Sequence, residues 1–280
     1  MTKSVERFAY ITCITNSKYV LGAAVLNRSL INVNSKYKLY VIIPDNGDKK
    51  TITTELEKYG INYFIESAIK APFHYQIYKS HNMLNRYHSF IKLNAARLVQ
   101  FEKIILLDTD VIVLKNIDHL FNSPHYTSVI AGKTAHPSWE DLCPGLLIIE
   151  PSLAFYNNLI NYIPTCVELT KKNLGYELIG DFDLWASYDN FFWRSRTELQ
   201  LEEIYQCYSE DVDTLIKVKK IKTKDLFTIH FAQKPKPWLR TKKELIKRYI
   251  HLIIARHFHE YYFLRKYMKV LKKIKRSILI

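Results

Sequence analysis

The stretch KIILLDTDVIVL, residues 103–114, constrains the chain more than any other. Its apolar run Ile104–Leu107 reads as a buried strand, yet it passes straight into Asp108-Thr109-Asp110 before a second apolar run, Val111–Leu114. An unpaired carboxylate inside a core costs several kcal/mol. The two acids must therefore stand at the end of the strand, where compensating charge can reach them. In an open α/β sheet that end is also where ligands collect.

The residues ahead of the acids supply such a sheet. Strands are expected over 8–15, 38–44, 61–67 and 103–108, alternating with helices over 19–31, 49–60 and 86–101; the second strand closes in the turn residues PDNGD, and Gly60 stops the second helix. Strand–helix alternation of this kind predicts an α/β fold with a mostly parallel central sheet flanked by helices. Further on, a strand is expected over 146–152, a helix from Ser152 to Tyr162 and a second apolar helix near 183–194. With 48% apolar residues and only 7 Gly and 9 Pro among 280, the chain can fill one large core and shows no linker or repeat. A catalytic domain over 1–240 and a helical C-terminal appendage over 241–280 are the expected division.

The appendage holds twelve Lys or Arg against two Glu, so +10 of the net +14 sits there. Its mixture of apolar and basic residues fits an anionic membrane surface, and equally a pair of surface helices covering the domain. Charge alone argues for nucleic acid, and no specific nucleic-acid partner is expected. Cys13, Cys143, Cys166 and Cys207 form no C-x-x-C pair, which disfavours a zinc knuckle or disulfide framework and fits a reducing, cytoplasmic setting. Lys3, Glu6 and Arg7 precede a short apolar alternation that reads as a first strand, not a signal peptide, and no stretch reaches the length of a membrane span.

Two carboxylates at i and i+2 can share a divalent cation, and hard oxygen ligands suit Mn²⁺, with Mg²⁺ the alternative. Two solvated strand-end acids are the bland reading of the same residues. The surrounding phrases weigh against it. LLDTDVIVLKNIDHLF resembles the metal-binding region of glycosyltransferase family 8, and within it the glycogenin-type glucosyltransferases. YITCITNSKYVLGAAVLNRSL resembles that family's opening strand, nucleotide loop and first helix; KLNAARLVQFEKIILLDTD its approach to the metal site; CPGLLIIEPS its acceptor-side strand; and HFAQKPKPW its H-x-x-G-x-x-K-P-W signature. In order, these cover roughly residues 8–239.

The resemblance implies a GT-A-like fold and a retaining, Mn²⁺-dependent transfer of a hexose, most simply glucose, from a UDP-sugar to a hydroxyl on a glycan or protein. It implies Cys13, Thr15, Asn16 and Tyr19 at the uracil and ribose, Arg86 and Lys92 at the diphosphate or donor sugar, and Thr109 between the two metal-binding acids. Asp108, Asp110 and His230 would be the metal ligands, and Lys236 would reach the β-phosphate. Gln233 stands where the family has a phosphate-approaching glycine, and Cys143 where it has an Asn. The acceptor-side carboxylate has two alignments: Asp181 with Asp183, or Asp189 followed by Asn190. Asp213 falls at the family's self-glucosylated tyrosine, which argues against self-transfer at that position. A homodimer rests on the resemblance alone. Two other readings stay open: a degenerate transferase that only binds nucleotide-sugar, and a phosphatase of the haloacid-dehalogenase type, whose nucleophile also sits in D-x-D after an apolar strand.

Overall fold

The structure, a computed structural model, describes residues 7–46 and 48–277. Lys3 and Glu6 of the expected leader-free N-terminus, Gly47 of the expected turn and the last three residues of the basic tail lie outside the described residues.

The first half is built from β1 (Phe8–Cys13), α1 (Val20–Asn32), β2 (Leu39–Pro44), α2 (Lys49–Lys58), β3 (Asn62–Glu66), α3 (Tyr75–Ser80), α4 (Leu84–Ser89), β4 (Lys103–Leu107) and β5 (Val111–Val113). The second half adds β6 (Thr127–Val129), β7 (Leu146–Ile149), α5 (Leu153–Leu174), α6 (Asp181–Ser187), α7 (Asn190–Ser195), β8 (Gln200–Leu201), β9 (Cys207–Tyr208), α8 (Val212–Lys219), β10 (Thr228–His230), α9 (Lys242–Ile254) and α10 (Phe258–Ser277). Seven strands form one sheet in the order β3-β2-β1-β4-β7-β6-β8, and β5-β10-β9 form a second, small sheet. Strands β3, β2, β1 and β4 are mutually parallel, as helix-linked strands must be, and β7 then runs antiparallel to β4.

The two apolar runs around Asp108 and Asp110 thus belong to different sheets. Ile11 of β1 lies beside Leu106 of β4, so both strands deliver their C-terminal ends to one edge. Past that edge β5 pairs antiparallel with β10, His230 opposite Val111. This register carries a histidine 120 positions downstream to the side of the acids.

Three elements differ from the periodicity's expectation. Residues 86–101 form α4 and then a 3-10 stretch, Phe90–Arg97. Phe90, Ile91, Leu93, Asn94, Ala95 and Ala96 are all buried there, and only Lys92 and Arg97 reach outward, too little for the polar face of an amphipathic α-helix. α5 runs twelve residues past Tyr162: the Ser152 side chain caps its start, and left-handed Gly175 (φ 74°) ends it. The helix expected over 183–194 breaks at Asp189, which adopts a left-handed conformation (φ 49°) between α6 and α7.

The hydrophobic core lies on both sides of the main sheet. One side joins β1 and β4 residues to Phe155, Leu159, Ile163 and Trp185. On the other, Ala23, Val25 and Ile43 share a cluster with Trp238 and with Phe263, Leu264, Tyr267, Leu271 and Ile274 of α10. Those α10 positions recur at helical spacing, so one stripe of the helix is sealed against α1. Among the described residues no helix is long and apolar enough to cross a membrane.

Candidate active site

The acids sit in the turn between β4 and β5, fixed by backbone bonds on both flanks. The Asp108 N–H donates to the Gly145 carbonyl (3.1 Å), and the Phe231 N–H donates to the Asp110 carbonyl (2.9 Å). A side chain at Gly145 would lie 2.3 Å from Gln206 Nε2 and 2.9 Å from His230 Cε1, so glycine there is a spatial requirement. Gly22 of α1 is constrained in the same way: a Cβ would stand 2.7 Å from the Trp238 ring and 2.9 Å from the Thr109 carbonyl oxygen. Trp238 Nε1 also donates to the Lys18 carbonyl (2.8 Å). The first helix, the D-T-D turn and the K-P-W segment therefore meet at van der Waals distance.

Around the turn, His230 Nε2 lies 3.1 Å from Asp110 Oδ1 and 3.5 Å from Asp108 Oδ2. One ligand atom from each of these three residues falls within 4.8 Å of the others. Two carboxylates and an imidazole are a donor set that suits a Mn²⁺-sized cation, and the close spacing of like charges demands positive charge between them. Two lysines bring positive charge to them. Lys236 Nζ contacts Asp110 Oδ2, and it also donates to the carbonyls of Phe231 (3.0 Å) and Ala232 (2.6 Å). Lys92 Nζ bridges Asp108 Oδ1 (2.6 Å) and Asp181 Oδ2 (2.8 Å).

Burial opposes every one of these charges, and the partners prevail. Burial would raise the Asp110 carboxyl, but His230 and Lys236 hold it well below the usual carboxylate range. Burial would lower His230, but the Asp110 charge drives it up to about 10. Burial would lower Lys92, but Asp108 and Asp181 hold it well above its ordinary value. All three are ionised near neutral pH.

Beside the acids opens a cleft of about 420 Å³, lined by Cys13, Thr15, Asn16 and Tyr19 on one wall and by Lys92, Asp108, Thr109, Asp110 and Asp181 on the other. The first wall is a tight turn: the Asn16 side chain accepts from Lys18 N (3.1 Å), and Asp48 accepts from Ser17 N (2.7 Å). Tyr19 stands edge-on to Trp238, 5.9 Å between centroids. Cys13 is a buried thiol pushed up by its burial.

The remaining expected residues go elsewhere. Arg86 turns from the cleft to the start of α6, donating to the Leu178 carbonyl (2.9 Å), lying 3.4 Å from Asp183 and covering the Tyr176 ring. Asp183 accepts from the Gly180 N–H (2.8 Å) and from Tyr176 (2.5 Å), so it caps the helix whose first residue, Asp181, faces Lys92. Asp189 is exposed, and its electrostatic neighbours are Tyr126, Tyr162 and Tyr188 beside α5. Gln233 is exposed and accepts from Arg248 of α9 (3.1 Å). Asp213 accepts from the His259 and Glu260 N–H groups (both 3.1 Å), so it caps α10.

Sequence reasoning missed Gln206, Ser89 and His88. Gln206 Nε2 lies 2.9 Å from His230 Nδ1 and 3.2 Å from Cys143 Sγ, fully buried behind the histidine. Ser89 accepts from the Asp181 N–H (2.9 Å), and His88 lines the cleft. His88 and Ser89 were within reach, standing one helical turn ahead of Lys92. Nothing local marks Gln206.

A doubly wound sheet with an acid pair at its switch edge and a nucleotide-sized cleft alongside defines a GT-A-like glycosyltransferase. The chain belongs to glycosyltransferase family 8, whose description, "Glycosyl transferase family 8", it matches over residues 10–242. It is 27% identical to Glycogenin-1 of Caenorhabditis elegans, over 82% of this chain and 50% of that protein. It is 26% identical to human Glycogenin-1, over 82% of this chain and 62% of that one. Inositol phosphorylceramide glucuronosyltransferase 1 of Arabidopsis thaliana is 23% identical over 83% of this chain and 43% of its own length. The chain thus spans about half the length of these curated relatives. Among solved structures, the galactosyltransferase LgtC in complex with donor and acceptor sugar analogues superposes with a TM-score of 0.57 at 10% identity, covering 95% of both chains. The glycosyltransferase GlyE of Streptococcus pneumoniae TIGR4, in its apo form, gives 0.55 at 16% identity over 98% of this chain and 64% of its own. These two share the fold. Family membership leaves no place for the phosphatase reading.

Proposed function

We propose that the protein transfers glucose from UDP-glucose to a hydroxyl of a glycan or protein acceptor, retaining the anomeric configuration and using Mn²⁺. The observation that carries this reading is the convergence of Asp108, Asp110 and His230 on one point at the mouth of the Cys13–Tyr19 cleft. The ion, once bound by those three residues, supplies positive charge against the diphosphate leaving group. Lys236, a flexible point charge now resting on Asp110, is the group free to follow the β-phosphate. Lys92 pairs with Asp108 and holds Asp181 at the donor-sugar side of the cleft. Asp181 is the acid we assign to the reacting sugar, because Asp183 is engaged as a helix cap and Asp189 is exposed beside α5. Asn16 and Tyr19 offer amide and ring to the base.

UDP release from UDP-glucose with Mn²⁺, alongside mass spectrometry of protein and added glycans for one hexose, tests the reading. Asp110→Asn is expected to lower turnover at least 100-fold and to abolish Mn²⁺ binding. Unchanged turnover in that variant overturns the metal assignment. Stabilisation by UDP with no UDP release would leave the binding-only alternative.

We further propose that residues 241–280 attach the catalytic unit of 1–240 peripherally to an anionic membrane at the cytoplasmic side. Ile246, Ile250, Ile253 and Ile254 form an exposed stripe on α9, Ile254 being 76% exposed, and Lys242, Lys243 and Lys247 flank it. Sedimentation with phosphatidylserine vesicles should fall to background for Ile250→Asp/Ile254→Asp; equal sedimentation refutes the attachment.

A further inference from the structure

α10 lies beyond residue 242, where the match to the family ends, yet one of its side chains packs behind the acid turn. Tyr267 stands edge-on to Phe231 at 5.0 Å between centroids and nearly flat against Trp238 at 6.1 Å. Those two rings bracket Lys236 along the chain. The Tyr267 side chain is fully buried, and its hydroxyl has no hydrogen-bond partner among the described residues. Its neighbours on the same helical stripe, Phe263, Leu264, Leu271 and Ile274, are purely apolar. A phenylalanine would seal the same face without the cost of a desolvated O–H. Packing therefore gives the hydroxyl no use.

Lys236 shows where a donor is wanted. Its ammonium gathers three acceptors: Asp110 Oδ2, the Phe231 carbonyl (3.0 Å) and the Ala232 carbonyl (2.6 Å). The Phe231 N–H donates in turn to the Asp110 carbonyl (2.9 Å), so the residue against the Tyr267 ring is tied to both partners. Should Lys236 swing to a ligand in the cleft, the Asp110 oxygen it leaves is buried and one donor short. Burial, and then the charge of Asp110, hold the Tyr267 hydroxyl well above the ordinary phenol range, so it keeps its proton and can donate. A carboxylate offers two oxygens and about four lone-pair sites, room for a cation and a hydrogen bond together.

We propose that Tyr267 is a positioning residue of this site, its hydroxyl donating to Asp110 Oδ2 in place of Lys236 when the lysine turns to a diphosphate. α10 is then part of the machinery as well as a cover. The proposal rests on the reading of Lys236 as the mobile charge of a nucleotide-sugar site.

Two substitutions in the full chain test it without any ligand. Lys236→Met leaves Asp110 Oδ2 to the phenol permanently. Tyr267→Phe alone should keep the unfolding midpoint in EDTA at or above the wild-type value, because it removes an unpaired hydroxyl. In the Lys236→Met background the same change should lower the midpoint by about 2–4 °C, because there it removes a bond. A purely structural tyrosine would shift both backgrounds alike, and equal shifts overturn the proposal. If Lys236→Met does not fold, calorimetric titration of UDP with Mn²⁺ decides. Binding to Tyr267→Phe that is weaker by roughly fivefold, the worth of one hydrogen bond, upholds the proposal, and wild-type affinity overturns it. A wild type that binds no UDP sinks the nucleotide-sugar reading, while the reversal of sign in EDTA still upholds the phenol's place on Asp110.

Discussion

Losing Lys92 should be costly. Its ammonium, largely buried, contacts Asp108 at 2.6 Å and Asp181 at 2.8 Å. Lys92→Met keeps the length and apolar volume of the side chain and removes only the charge. Two carboxylates, Asp181 buried and Asp108 half-buried, then face each other without their shared cation. Removing one partner of a buried pair costs about 3–5 kcal/mol, because the other charge stays desolvated. At roughly 2–4 °C per kcal/mol for a domain of this size, the midpoint should fall by about 10 °C. Urea denaturation in EDTA gives the free-energy loss directly. Asp181→Asn in the Lys92→Met background should recover about 1–3 kcal/mol, since it removes one of the stranded charges, and the double-mutant cycle isolates that coupling. A loss under about 1 kcal/mol, the value of an exposed ion pair, would refute the bridging role.

The stability of the metal-free chain should depend on pH through the Asp110–His230 pair. Burial opposes both charges, yet His230 is raised from 6.5 to about 10, so its contribution is full below pH 6.5 and fades as pH climbs towards 10. Asp110 is depressed below 3.8, so its contribution is full above that value and fades as pH falls beneath it. Denaturation in EDTA should show both limbs, and His230→Gln should flatten the alkaline one; a flat wild-type profile from pH 6.5 to 10 counts against the pairing. Gly145→Ala would push a methyl into Gln206 and His230, and Mn²⁺ affinity by calorimetry should drop at least tenfold. A normal affinity would show that the histidine is not held in place from behind. Truncation after residue 240 uncovers Trp238, Phe231 and the α1 face, now sealed by Tyr267, Leu271 and Ile274; a midpoint unchanged in scanning calorimetry would make α10 dispensable. Finally, Mn²⁺ binding at pH 7 should release about one proton, read from calorimetry in buffers of different ionisation enthalpy, and zero release would exclude His230 as a ligand.

The parallel half of the fold was legible because its signals are local: apolar strands broken by helices at regular intervals, with Gly60 and the turn after Pro44 as stops. The acids were legible because charge between two apolar runs has few physical solutions. His230 was not legible from its own surroundings, since only the β5–β10 register brings it to Asp110. It emerged through the K-P-W spacing of the family resemblance. The choice between Asp181 with Asp183 and Asp189 lay beyond periodicity, because the apolar pattern reads as one helix over 183–194 and gives no sign of the left-handed break at Asp189. Packing separates the three: Ser89 and Lys92 draw Asp181 to the cleft, Tyr176 and Gly180 take Asp183 into a cap, and Asp189 is exposed. The 3-10 stretch over 90–97 was illegible for a related reason, being buried nearly all round.

The lysines and the histidine balance the charge of the acids at this edge. Asp108, Asp110 and Asp181 carry three negative charges, and Lys92, Lys236 and the protonated His230 carry three positive ones, so the buried cluster is neutral. For Asp108, Asp110 and His230 to act as ligands, His230 must shed its proton and Lys236 must leave Asp110. Those two losses equal the charge of one divalent cation, so the cluster is neutral afterwards as well. Neither state strands a buried charge, which is what the low-dielectric edge of a sheet requires. A cation held by Asp108, Asp110 and His230 would free Lys236 to carry its charge beside the cleft where a diphosphate would lie. A neutral residue in place of Lys236 would leave Asp110 with His230 alone as its charge partner, and a fixed lysine would have no charge to offer a substrate. The K-P-W segment is anchored by Trp238 through Lys18 and Tyr267, so the backbone can stay in place while the lysine side chain moves.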